Sequence, residues 1–248
     1  MGRVDRRVDA KTYIVDSLLS NFGIDAGSTG LLDRVDVSSR RLAKGESLFR
    51  AGDTVNEMFC VVEGWMTAAA ELEEGGRQLL NFHVPIDIAG LEFISESRAS
   101  STMIAFKDSL LYLIPVAQFV KGLALAPKAS LALTEVLGRR YITMQDRICV
   151  FSNGDAIAKI AYLLLGLRSK QMRNKFDDAN TLRLPLTQPD IADALGLTPV
   201  TVSRAFTKLT GAGIVDYDRN KITILEPENL KSFVAPFLMQ DKIVDEFG

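Results

Sequence analysis

One short segment concentrates side chains that could make specific hydrogen bonds. In "LTQPDIADALGLTPVTVSRAFTKL", residues 186–209, the side chains of Val200, Ser203, Arg204 and Thr207 stand at relative positions i, i+3, i+4 and i+7. That spacing places them on one face of a helix. An arginine guanidinium offers a planar fork of donors, and a serine hydroxyl can donate or accept. Val200 is the exception on this face, because it has no hydrogen bond to give.

Two short helices are predicted to position this face. Thr187 can cap the first helix with Asp190 as its capping-box partner, and Gly196 ends it. Thr198 caps the second helix, which starts at Pro199. The sides predicted to be buried are apolar: Ile191, Ala192 and Leu195, then Val202, Ala205, Phe206 and Leu209. Two helices joined by a short turn with a glycine form a helix-turn-helix.

Residues 213–226 contain two β-rich runs around "DRNK", which predict a hairpin, or wing, behind the helix pair. In such a unit the second helix enters the DNA major groove and presents its N-terminal part to base edges. We therefore expect base contacts from Val200, Ser203 and Arg204: Arg204 suits guanine, and Val200 could contact a thymine methyl group or merely fill space. Phosphate contacts, which position the protein, are expected from Thr187, Gln188, Thr198, Thr201, Lys208, Arg219 and Lys221.

The rest of the chain divides into three predicted parts. Residues 10–24 suggest a short amphipathic helix, and residues 38–115 contain short apolar runs separated by turns, typical of a jelly-roll barrel. Pro127 can open a long helix. The fold class is therefore α+β, with an N-terminal helix and β-barrel domain over 1–126, a dimerisation helix over 127–152, and a winged helix-turn-helix domain with a C-terminal helical extension over 153–248.

The long helix carries an apolar seam with spacings of 4, 3, 4 and 3. This is a heptad pattern of about two repeats and favours pairing with a second copy. The alternative is a helix that packs on its own domain. The seam residues are Leu137, Tyr141, Met144, Ile148 and Phe151.

Charge and composition exclude several classes of protein. The 248 residues have a net charge of −2, but residues 137–225 hold 13 Lys and Arg against 8 Asp and Glu, a net of +5. This basic segment suits a polyanion partner. No run of 18 apolar residues and no secretory apolar core is present, so we expect a cytoplasmic protein without a membrane span. With one histidine and two cysteines, no catalytic triad, metal cluster or phosphate loop is apparent, and no enzyme is expected.

This organisation resembles the family of the cyclic-AMP receptor protein and FNR, over about residues 30–226. The likeness is strongest at "PLTQPDIADALGLTPVTVSRAFTKLTGAGIV", at "ALTEVLGRRYITMQDRI" and at the barrel segment "LAKGESLFRAGDTVNEMFCVVEGWM". The resemblance implies a homodimeric transcription regulator with a cyclic-nucleotide-binding-like barrel. It also implies a twofold-symmetric site on double-stranded DNA, and RNA polymerase as a partner.

The chain departs from the family where specificity resides. At the position of Val200, members commonly carry a glutamate. That glutamate accepts a hydrogen bond from cytosine and can orient the arginine. In the sensor segment "GLEFISESRASSTMIA" the nucleotide-binding Gly-Glu and Arg-Ser pairs are not adjacent. A cyclic nucleotide would have to use Gly90, Glu92, Arg98 and Ser100 after a shift of register.

Other family cofactors are also poorly matched. Two cysteines are too few for the iron–sulfur cluster of the FNR branch, and Cys149 could be either a redox switch or a packed residue. His83 is the one candidate axial ligand for haem. We therefore predict no cofactor, with a cyclic nucleotide and haem as alternatives. The leading hypothesis is a DNA-binding regulator, and the second is a ligand sensor whose helix-turn-helix binds protein.

Overall fold

The computed structural model describes residues 9–25, 30–72, 76–173, 181–218 and 221–239. The chain forms two compact units. The first holds Met1–Glu71 and Leu80–Val136, and the second holds Leu72–Leu79 and Leu137–Gly248. The boundary between Val136 and Leu137 falls inside the long helix.

The first unit begins with a helix, α1 (Ala10–Phe22), whose ends carry the expected signals. The Asp9 side chain accepts a hydrogen bond from the Lys11 amide at 3.2 Å, and Gly23 ends the helix with φ at 64°. The Tyr13 hydroxyl accepts from the Ile86 amide at 3.2 Å, which holds a loop where Ile86 has φ at 65°. A branched residue rarely adopts this left-handed conformation, so α1 supports a strained turn of the sheet.

One sheet contains six strands: β1 (Ser38–Leu42), β2 (Ser47–Phe49), β3 (Glu57–Glu71), β4 (Arg77–His83), β5 (Ile88–Ala89) and β6 (Thr102–Pro115). All of them belong to the first unit except the start of β4, Arg77–Leu79, which belongs to the second. The strand order is β1-β6-β3-β4, with β2 paired antiparallel to β6 and β5 antiparallel to β3. The jelly-roll type predicted from the sequence is confirmed, but the predicted barrel is not closed, because no pairing among the described strands joins β4 to β1.

Large apolar side chains fill the space enclosed by this sheet. Met58, Phe59 and Met66 of β3 are fully buried, and the rings of Phe49 and Phe93 meet edge to face with centroids 5.3 Å apart. Phe93 belongs to a short 3-10 helix over Leu91–Ile94. The interior of the unit is thus a packed hydrophobic core.

Three helices follow the sheet along the chain: α2 (Val116–Leu125), α3 (Pro127–Asn153) and α4 (Ala156–Arg173). Helix α3 is the long helix opened by Pro127. Asp155 starts α4, since its carboxylate accepts a hydrogen bond from the Ala158 amide at 2.9 Å.

The second unit contains the helix pair and a three-stranded antiparallel sheet in the order β7-β9-β8. The predicted wing hairpin is confirmed as β8 and β9, and β7 adds a third strand to it. A C-terminal extension follows, in which the Met239 amide donates to the buried Asp146 carboxylate of α3 at 2.7 Å. The elements are β7 (Thr181–Arg183), α5 (Gln188–Leu195), α6 (Pro199–Gly211), β8 (Val215–Asp218), β9 (Lys221–Ile224) and α7 (Pro227–Ser232).

Candidate nucleic-acid interface

A reciprocal capping box fixes the start of α5. The Asp190 carboxylate accepts from the Thr187 amide at 2.9 Å and from the Thr187 hydroxyl at 2.6 Å, while the Thr187 oxygen accepts from the Asp190 amide at 3.3 Å. Gly196 ends the helix with φ at 63°. The capping box and glycine stop predicted from the sequence are confirmed, and together they set where α6 begins.

Helix α6 is anchored on one side and open on the other. Its Thr198 oxygen accepts from the Thr201 amide at 3.2 Å, and the two threonine hydroxyls share a hydrogen bond of 2.8 Å. Phe206 stacks on Tyr217 of β8, with ring centroids 4.6 Å apart and planes 19° apart. The side chains of Val202, Ala205, Phe206 and Leu209 are buried, as predicted.

The opposite face of α6 is exposed and holds the three predicted base-reading residues. Val200 is 59% exposed, and Ser203 and Arg204 are also exposed. Arg204 makes no ion pair or side-chain hydrogen bond with any residue that the structure describes. Thr207 lies on the same face but donates its hydroxyl to the Ser203 carbonyl at 3.0 Å, within the helix. The face therefore presents one cation, one hydroxyl and one apolar side chain.

The residues predicted to contact phosphate lie at the helix starts and in the wing. Lys208 and Lys221 are exposed, and Gln188 is partly exposed in the first turn of α5. Thr187, Thr198 and Thr201 already use hydroxyl groups within their caps, although the shared bond of Thr198 and Thr201 consumes only one of their two hydroxyl protons. Arg219 lies outside the described residues. All of these contacts remain predictions.

Arg77, which the sequence pattern did not indicate, binds the first helix of the pair. The Arg77 guanidinium contacts the carboxylates of Asp190 at 2.6 Å and Asp193 at 2.7 Å. The Gln78 amide donates to the backbone carbonyls of Asp193 at 2.6 Å and Ala194 at 3.1 Å. The hydrogen bond to Asp193 is the main factor that raises the pKa of Arg77, so this side chain stays charged. All of these residues belong to the second unit.

Four of the five predicted seam residues are exposed on α3. The exposed fractions are 49% for Leu137, 65% for Tyr141, 63% for Met144 and 62% for Ile148. Phe151 is only partly exposed, because its ring meets Tyr162 of α4 with centroids 6.2 Å apart. Exposed apolar residues in such a row are typical of a surface that binds a partner, and the seam itself remains a prediction.

The sensor segment does not present the groups that a cyclic nucleotide needs. Gly90 is buried with φ at 89°, and a Cβ there would lie 3.1 Å from the Met58 Cα. Glu92, Arg98 and Ser100 are exposed, and the Arg98 amide donates to the Glu96 carboxylate at 3.0 Å. The buried side chains of this segment are apolar: Leu91, Phe93 and Ala99. The residues present do not fit a ribose and a cyclic phosphate.

His83, the predicted haem candidate, and the buried Cys60 both contact neighbouring side chains, while Cys149 is a free, partly exposed thiol whose role remains a prediction. The His83 ring meets Phe59 edge to face, with centroids 5.9 Å apart. Cys60 is fully buried and donates to the Ser17 hydroxyl at 3.3 Å, and burial raises the pKa of its thiol to about 12. No group of three or more potential metal ligands occurs among the described residues. The described residues therefore offer no ligand set for an iron–sulfur cluster.

The capped helix pair, the exposed face of α6 and the wing define a winged helix-turn-helix DNA-binding protein, here on a chain that also carries a jelly-roll sheet. Family models agree: residues 158–233 match a Crp-like helix-turn-helix domain, and residues 39–124 match a cyclic nucleotide-binding domain. The chain therefore belongs to the Crp/Fnr family of DNA-binding transcription regulators, which are not enzymes.

Characterised relatives lie at modest identity but cover most of the chain. The transcriptional activator protein FnrA of Stutzerimonas stutzeri is 27% identical over 224 residues, which is 90% of this chain and 91% of that protein. The nitrogen fixation regulation protein FixK of Bradyrhizobium diazoefficiens is 29% identical over 198 residues, 78% of this chain and 80% of that protein.

Solved structures show the same fold. FixK2 from Bradyrhizobium japonicum superimposes with a TM-score of 0.70 at 24% identity, over 80% of this chain and 97% of that one. A CooA variant from Carboxydothermus hydrogenoformans gives 0.63 at 21% identity, over 83% of this chain and 90% of that one. In the described part of this chain no helix is long and apolar enough to span a membrane.

Proposed function

We propose that this regulator acts as a homodimer on a twofold-symmetric duplex site, with α6 as its reading helix. The observation that carries the proposal is the exposed face of α6, where Arg204 stands free of ion pairs with the described residues beside Ser203 and Val200. The opposite face is buried against its own unit, so the exposed face is the one that can enter a groove.

Dimerisation is supported by the exposed row on α3. Leu137, Tyr141, Met144 and Ile148 follow a heptad spacing, and each is at least 49% exposed. Pairing with the same row of a second copy would bury these side chains and relate the two reading helices by a twofold axis. A palindromic site then follows from the symmetry of the protein.

Each side chain has a distinct proposed role on DNA. Arg204 donates a bidentate pair to guanine, which contributes roughly 1–3 kcal/mol of discrimination. Ser203 donates or accepts at a neighbouring base. Thr187, Gln188, Thr198, Thr201, Lys208, Arg219 and Lys221 position the protein on phosphates, which is consistent with the net charge of +5 over residues 137–225.

We further propose that the protein works in the cytoplasm, contacts RNA polymerase, and needs no bound nucleotide or metal. The burial of Leu91, Phe93 and Ala99 supports the proposal for the nucleotide, because a polar ligand in this segment would have to displace buried hydrophobic side chains. Activity would then follow the amount of protein.

Selection from a random pool of duplexes tests the proposal. We expect an enriched palindrome whose affinity falls by about a thousand-fold or more between 50 and 200 mM salt, as for a protein with six or more phosphate contacts. Arg204→Ala should lose site selectivity, whereas Arg50→Ala, an exposed arginine of the first unit, should keep it.

Protein binding by the helix pair is the alternative function, favoured by one observation, the exposure of the apolar Val200. In that case selection would enrich no palindrome, and duplex affinity would not respond to Arg204→Ala. This result would refute DNA reading and leave the protein-binding alternative.

A further inference from the structure

We infer that Val200 selects a thymine in each half-site by contacting its C5-methyl group. The inference rests on the proposed DNA reading by α6 and adds the identity of one base that α6 selects. One base of the half-site would then be selected by an apolar contact, from a residue one helical turn before Arg204.

The first turn of α6 presents an apolar edge around Val200. Pro199 precedes it and has no amide hydrogen to donate. The hydroxyls of Thr198 and Thr201 bind each other at 2.8 Å. Val200 itself is 59% exposed, so its two methyl groups are available to a ligand.

Thymine is the one base that suits this edge. Its methyl group is the apolar feature of the major groove, and the other base edges there present hydrogen-bond donors or acceptors. A valine placed against the amino group of cytosine or adenine would remove water from a donor without replacing the hydrogen bond. Valine also has one strongly preferred rotamer in a helix, so little side-chain freedom is lost on contact.

The spacing to Arg204 restricts where the thymine lies. Val200 and Arg204 are four residues apart, so they share a face and stand about 6 Å apart along the helix. Successive bases of a strand are spaced about 3.4 Å apart. We therefore place the thymine within two base-pair steps of the guanine that Arg204 contacts.

Single-atom changes in the DNA test this contact. Uracil is thymine without the methyl group, so each thymine of the selected half-site is replaced in turn by uracil, and affinity is measured at fixed salt. One position should lose about four-fold per half-site, and about fifteen-fold when both halves are changed, as expected for one buried methyl group per half-site. Cytosine at that position should bind more weakly than 5-methylcytosine.

Protein variants assign the effect to Val200. Val200→Ser should bind the thymine and uracil duplexes equally at that position and keep its preference for the guanine. Val120→Ser, the same substitution at a 39% exposed valine of α2, should keep the full difference. Because both valines are exposed, both variants should retain the wild-type thermal unfolding profile, which is measured alongside.

The outcomes separate this inference from the proposed function. If a palindrome is enriched but no thymine responds to uracil, or Val200→Ser still distinguishes the two bases, the methyl contact is refuted while DNA reading stands. If no palindrome is enriched at all, the proposed function fails and the inference fails with it.

Discussion

Removal of the Asp190 carboxylate should destabilise α5 selectively. This side chain is largely buried and accepts three hydrogen bonds: from the Thr187 amide at 2.9 Å, from the Thr187 hydroxyl at 2.6 Å and from Arg77 at 2.6 Å. Asp190→Ala removes all three. One capping hydrogen bond then remains, in which the Thr187 hydroxyl oxygen accepts from the backbone amide of residue 190.

The size of the effect follows from these contacts. Loss of one arm of a helix cap costs about 1 kcal/mol, and loss of a carboxylate from the first turn costs about 0.5 kcal/mol more. The ion pair with Arg77 adds at most about 1 kcal/mol, because the arginine side chain is 48% exposed and solvent screens it. The sum is about 2 kcal/mol, which corresponds to about thirty-fold in an opening equilibrium.

Amide hydrogen exchange on peptides that cover α5 measures that opening directly. Asp190→Ala should accelerate exchange there by about thirty-fold. Asp193→Ala is the matched control, because Asp193 also binds Arg77, at 2.7 Å, but takes no part in the cap. It should accelerate exchange by no more than about five-fold. Equal acceleration by both variants, or less than three-fold by Asp190→Ala, would refute the reasoning about the cap.

Two further predictions concern the seam and the buried thiol. Met144→Glu should convert a dimer to a monomer in light scattering, because it places like charges opposite each other at the seam. The control is Met172→Glu, at a methionine exposed elsewhere, which should remain a dimer. If both variants are dimers, the seam assignment is contradicted. In Cys149→Ser protein, the Cys60 thiol should react at pH 8 only as fast as the chain unfolds. Burial raises the pKa of this thiol to about 12. The buried, protonated thiol therefore stabilises the folded chain fully below about pH 8.5, and this contribution is lost as the pH rises towards 12. Rapid labelling of Cys60 at pH 8 would contradict its burial.

The helix pair could be predicted from the sequence because its determinants are local. Caps, prolines and a glycine stop act within four residues of the helix ends they define. The capping box of Thr187 and Asp190 and the left-handed Gly196 were therefore readable without tertiary information. The wing followed from a turn between two β-rich runs, which is also a local signal.

Contacts between residues distant in sequence could not be read in the same way. Arg77 binds a helix more than 100 residues further along the chain, and nothing in its own segment indicates this partner. Phe151 fits the heptad spacing, yet its ring contacts Tyr162 of the next helix. Strand pattern likewise predicted the jelly-roll type, but whether a sheet closes depends on pairing between strands that are far apart.

The architecture of α6 explains why family membership establishes the fold and leaves the operator open. Val202 and Phe206 fix the helix from its buried side, and Phe206 does so by stacking on Tyr217. Val200 and Arg204 lie on the exposed face and are not part of that buried row. The exposed face can therefore change its chemistry without a penalty in the fold. An apolar residue one turn before the arginine is then a change that the fold tolerates, and the base that we propose for it has to be established by binding experiments on DNA.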